Sequence, residues 1–312
     1  MRTEQQALRA SLVALLVLSG LGISFGLWSG SSAIIFDGVF SLVDAVMSVV
    51  SIVVSGLIIR STANRLPDRV QRRFTMGFWH FEPIVLAVNA LLMMSVAAYA
   101  LTESVAALLS GGRDVEFGPA VAYAAIVLVL TMTIGILEHR ANRSIGSALV
   151  AIDVKGWLMA GGVTGALLVA FGVGFLIDGT RFDHLMPYVD PAILAIVATV
   201  LIPVPIATLR KAVGEIALVT PAALQNDAET IASDTVRDEG FRSASVHVSQ
   251  TGRARQVEIV FYVPTGWPAR PLEDWDRIRG KIEQRLGEDP HDWIMISFTT
   301  TPERHRAQRT ES

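Results

Sequence analysis

The sequence predicts a mainly α membrane protein, six spanning helices followed by a small soluble α+β domain. Three observations carry this. Hydrophobic residues make up 51% of the 312 and charged residues only 18%, a membrane composition with a substantial soluble part. Six apolar stretches are each long enough to cross a hydrocarbon core of roughly 30 Å. The charge is unevenly spread, scarce from Leu8 to about Ile206 and ordinary from Lys211 onward. A boundary near Gly214–Pro221 gives a membrane domain (residues 1–213), a cytoplasmic domain (214–302) and a polar tail (303–312) expected to be disordered. The formal net charge of −3 makes no case for nucleic acid as a partner. The absence of cysteine excludes disulfides and thiolate metal sites.

The spans are expected at about Ala7–Trp28, Ser32–Ile59, Pro83–Leu109, Phe117–Leu137, Ser147–Ile177 and Pro191–Thr208. The first also has small residues after it, at Ser29–Ala33, as a cleaved signal peptide would. Its apolar run is long for that, and a second span follows almost at once. Pro203 and Pro205 should kink or end the sixth. Loop arginines set the orientation. Arg2, Arg9, Arg60, Arg65, Arg69, Arg72, Arg73, Arg140, Arg143, Arg210 and Lys211 fall on one side, and Arg113 and Arg181 on the other. Positive loops stay inside, so both termini are expected in the cytoplasm of a multi-pass protein of the inner (plasma) membrane. The Arg65–Arg73 cluster also suits anionic lipid.

Beyond the spans the pattern reads helix (Pro221–Glu239), strand (Ala244–Gln250), a Thr251-Gly252 turn, strand (Gln256–Val263), helix (Leu272–Leu286) and strand (Trp293–Thr300). An αββαβ order with both helices on one face of a small antiparallel sheet is ferredoxin-like.

The chemistry lies in buried acids. Asp37 and Asp44 are a heptad apart in the second span, so both carboxylates leave nearly the same side of the helix. A third, Asp153, lies in the fifth. Acids in hydrocarbon cost at least a few kcal/mol on insertion scales, so they face a bundle interior and mark an ion or proton path. Each has a plainer reading. Asp37 could cap backbone amides at a helix start, and Lys155 could neutralise a neighbouring acid or snorkel towards the cytoplasm. Glu82 and His80 read as interfacial anchors with Trp79, and Glu103 and Glu138-His139 as interfacial too. Asn89, a heptad beyond Glu82, suits an interhelical hydrogen bond. Gly161 and Gly165 give the fifth span a small-xxx-small spacing for close helix packing. No nucleophile–base pattern, P-loop or HExxH motif argues for an enzyme.

Several segments carry a family resemblance. Asp37-Gly38-Val39-Phe40-Ser41-Leu42-Val43-Asp44, Met76-Gly77-Phe78-Trp79-His80-Phe81-Glu82-Pro83 and Asp190-Pro191 resemble second-, third- and sixth-span motifs of the cation diffusion facilitator (cation efflux) family. The resemblance implies proton-coupled export of divalent metal ions by a homodimer whose cytoplasmic domains pair. It also implies a transport site of two ligands four apart on the second span and two four apart on the fifth. Asp44 matches one position, while Phe40, Gly156 and Ala160 occupy the other three. Asp153 lies one turn towards the cytoplasm from Gly156. The cytoplasmic positions at which the family often holds further metal are Ala244, Val260, Thr299 and Thr301. With His247, His291 and His305 scattered, no histidine-rich metal site is expected there.

The loss of histidine changes the chemistry. Zinc favours nitrogen and sulfur ligands, while oxygen-only sites suit harder ions. The expected metal site is therefore Asp44 and Asp153 facing each other across the second and fifth spans, with Ser41 adding an oxygen one turn before Asp44 and Asp37 attracting the ion or relaying protons on the outer side. Manganese, ferrous iron or magnesium is favoured over zinc as cargo, and no resident cofactor is expected. Two carboxylates sharing a dry site take up protons when the ion leaves, as proton exchange requires. The competing expectation is a membrane scaffold or partner subunit that has lost transport.

Overall fold

A computed structural model of the chain describes residues 4–301 apart from 64, 66, 75–76, 146–147, 178, 253 and 288–291. The expected tail, His291 and His305 lie outside the described residues, as does the side chain of Lys155. The helices are α1 (Glu4–Ser29), α2 (Ser32–Thr62), α3 (Asp68–Gln71), α4 (Phe81–Leu109), α5 (Phe117–Ile145), α6 (Ala148–Ile177), α7 (Met186–Leu201), α8 (Ile206–Ile216), α9 (Ala222–Glu239) and α10 (Leu272–Leu286). The strands are β1 (Ser243–Thr251), β2 (Ala254–Tyr262) and β3 (Trp293–Thr299). Six of the described helical segments are long and apolar enough to cross a membrane, the sixth being Asp183–Ile216. The protein is a multi-pass membrane protein. The sixth span is interrupted where expected: Pro203 and Pro205 fall in the four-residue break between α7 and α8, because proline supplies no amide for the helical ladder.

The chain forms two compact units. One takes residues up to Val53 with Val85–Leu209, the other Val54–Ile84 with the residues from Arg210 onward. In the first, Leu18, Ile34, Phe36, Ala97, Ala100, Tyr123, Val127, Trp157, Leu167, Phe171 and Leu194 build one core to which all six spans contribute. Outward positions such as Leu92, Val129 and Val169 stay exposed, which lipid tolerates and water would not.

Close helix approach falls elsewhere than expected. A Cβ built on Gly22 of α1 would lie 2.5 Å from Gly38 Cα of α2, and one on Gly26 2.7 Å from Ile35 N, so these backbones touch. On α6, Gly165 has nothing within 4 Å of such a Cβ, and Gly161 merely receives the end of Met132. The small-xxx-small pair that joins two helices tightly is Gly22/Gly26.

In the second unit β1 pairs antiparallel with β2 and β2 parallel with β3, in the order β1-β2-β3. The sheet is therefore mixed, correcting the antiparallel expectation. Among the described strands β2 and β3 are neighbours, and their connection runs through α10, the helical crossover that a parallel pair needs. Val248, Val257, Ile259, Phe261 and Ile296 turn one face of the sheet into a core with Ile231 of α9 and with Ile278 and Ile282 of α10. At the hairpin tip Gly252, with φ 58°, donates its N–H to Glu215 at 2.9 Å. A Cβ there would come within 2.9 Å of the Trp79 carbonyl oxygen, so glycine is required by both conformation and space.

Candidate functional site

Most of the acids predicted to matter meet specific partners. Asp37 accepts a hydrogen bond from the Tyr123 hydroxyl at 2.7 Å, and the next residue, Gly38, is where α2 touches α1. The capping role open to Asp37 belongs instead to Asp190. That residue is 0% exposed and accepts from the Ser31 hydroxyl and from the backbone N–H groups of Ser32 at 3.1 Å and Ala33 at 3.3 Å. A carboxylate from α7 thus satisfies orphan donors at the start of α2. Glu103, read as interfacial, is ion-paired with Arg113 at 2.9 Å. Asn89 keeps a buried Oδ1 without a partner, so the interhelical bond expected of that oxygen is not made.

Asp44 and Asp153 belong to a separate group. Asp153 is half-buried on α6, and its charge acts on Asp44 of α2. Asp44 and Ser41 are likewise half-buried. Ser11 of α1 accepts a hydrogen bond from Trp157 Nε1 at 3.0 Å and hydrogen-bonds Asp153. The spacing of Asp153 and Trp157, one helical turn, puts both on the inward side of α6. Gly156 and Ala160 stand exposed on a different side. Phe40 packs against the membrane core, its ring 5.6 Å from that of Phe36.

The sequence reading missed one member of this group. Glu138 of α5, taken as interfacial, is 0% exposed and lies within hydrogen-bonding reach of Asp153. Among the described residues neither Glu138 oxygen finds a donor, and neither does Asp153 Oδ2. Two ionised carboxylates offer each other only acceptors, so the contact needs a proton or a cation between them. Glu138 ends a buried stripe on α5, Ala120, Ala124, Val127, Thr131 and Gly135, spaced at helical period. Extending that stripe would have found it. Among the described residues, no three His, Asp or Glu side chains gather tightly enough to hold a metal ion unaided.

The family profile described as the cation efflux transmembrane domain matches residues 8–217. The chain belongs to the cation efflux family. Cation efflux proteins are transporters, so this chain is a membrane transporter and not an enzyme. Among similar proteins is the manganese efflux system protein MneP of Bacillus subtilis (strain 168), 26% identical over 218 residues, which cover 67% of this chain and 68% of that one.

Proposed function

We propose that the protein exports a divalent metal cation in exchange for protons, through an oxygen-rich site between α2 and α6. What supports this is that Asp44 of α2 and Asp153 of α6, half-buried acids from distant spans, are near enough to feel each other's charge. Ser41, one turn before Asp44 on α2, would add a hydroxyl, and Asp37, held by Tyr123, would attract the ion or relay protons on the outer side. Carboxylate and hydroxyl oxygens suit manganese, ferrous iron or magnesium better than zinc, and the likeness to a manganese efflux protein favours manganese. Exchange follows from the ligands themselves, which hold either the ion or protons.

The arginine-rich loops support cytoplasmic termini in an inner (plasma) membrane, in contact with anionic lipid. The αββαβ order of the second unit supports a ferredoxin-like cytoplasmic domain through which a homodimer pairs. The test is metal-stimulated proton flux in proteoliposomes, which Asp44→Ala should abolish; flux equal to wild type would refute the site. Competition among zinc, manganese, ferrous iron and magnesium then names the ion.

A second reading, a membrane scaffold or partner subunit without transport, is favoured by Phe40, Gly156 and Ala160, which offer no side-chain ligand and of which two stand exposed. Calorimetry on the purified protein separates the two, since a scaffold binds no divalent ion at any pH.

A further inference from the structure

We propose that Glu138 is a direct ligand of the transported cation, paired with Asp153, so that the fourth span supplies a carboxylate in place of the side chains missing at Gly156 and Ala160. This rests on the exporter reading above and adds a residue to its site. Burial of an acid in a membrane protein is tolerated when a partner neutralises it. Glu138 is fully buried, yet among the described residues neither of its oxygens has a hydrogen-bond donor, and it lies against Asp153, another carboxylate with an unpartnered oxygen. Such a juxtaposition repels unless something positive occupies it.

The surroundings fix which oxygen does what. Ser11 engages Asp153 while accepting from Trp157, which orients that carboxylate and leaves its Oδ2 unpartnered. Asp44 bears on the same spot electrostatically from α2. The trio does not close on a point in this structure. Glu138 and Asp153 are the two direct ligands, and Asp44 completes the site through water, which manganese and magnesium readily retain as ligands.

Calorimetric titration of Mn²⁺ into the detergent-solubilised full-length chain tests this. Wild type binds, and Glu138→Gln weakens binding by at least the roughly 10- to 100-fold that follows removal of even an outer partner of a metal site. Glu138→His restores binding and moves preference from manganese towards zinc, because imidazole replaces a carboxylate oxygen. No purely structural role produces that shift. Wild-type affinity in Glu138→Gln overturns the proposal and leaves the pair sharing a proton only. Absence of divalent binding in wild type overturns it as well. Should Glu138→Gln aggregate, the manganese-to-zinc ratio of Glu138→His decides alone, an unchanged ratio counting against the ligand. The exporter reading fails separately, through Mn²⁺ uptake into proteoliposomes. Binding that depends on Glu138 without any uptake keeps the ligand and removes the exporter.

Discussion

Asp190 shows how far a single side chain reaches in this protein. It satisfies three donors at the start of α2, and water is scarce there because the residue is fully buried. Asp190→Ala leaves those donors unpaired and should lower stability by on the order of 2–3 kcal/mol, read as a lowered unfolding temperature in detergent. Asp44 and Asp153 stand out in the sequence because acids within long apolar runs are expensive, and both are half-buried in the structure. Asp37 was legible as an inward-facing group, although its partner Tyr123, 86 positions away, was not. Glu138 was hidden by its neighbours. It sits at the end of an apolar run beside His139-Arg140, the usual look of a helix leaving the membrane, and only the helical period of the α5 stripe marks it as inward. The Asp190 cap was hidden for a similar reason: two segments more than 150 residues apart meet, and nothing local announces it.

Helix packing gives a paired prediction. Gly38→Ala places a methyl group against the backbone of Gly22 and Ile23 and should cost about 1–3 kcal/mol, the usual range for overpacking. Gly165→Ala meets open space and should be neutral or slightly stabilising, since alanine favours helix. Thermal unfolding of both variants in the same detergent checks the contrast, and equal losses would contradict the crossing at Gly22 and Gly38. Spans, proline break and the αββαβ order of helices and strands could all be read from period and composition. Which glycines meet a partner could not, because small-xxx-small spacing occurs at both Gly22/Gly26 and Gly161/Gly165, and spacing alone does not say what lies opposite. The sheet's mixed pairing was equally hidden. Alternation identifies strands, but whether another strand separates β2 from β3 depends on which strands exist.

Across the whole chain, charge follows the solvent. The second unit is laced with exposed or half-buried ion pairs, among them Arg270–Glu239 at 3.0 Å and Arg285–Asp234 at 2.6 Å. The Arg285 guanidinium, donating to Asp234 and helped by Arg237, holds that carboxyl below its ordinary value. A depressed acid stabilises the fold above its unfolded pKa of about 3.9 and loses that contribution as pH falls through the folded value. The stability difference between wild type and Asp234→Asn should therefore be present at neutral pH and fade below about pH 4, followed by circular dichroism of the solubilised chain. Salt should shrink it too, because the pair is exposed. In the first unit the described acids inside the spans are instead buried or half-buried, Asp190 and Glu138 fully so. The Asp190 clasp then has a mechanical consequence. Since the start of α2 is fastened to α7, any displacement of α7 would pull on the helix that carries Asp44. Cutting the clasp should free the start of α2 from α7 as well as soften the fold.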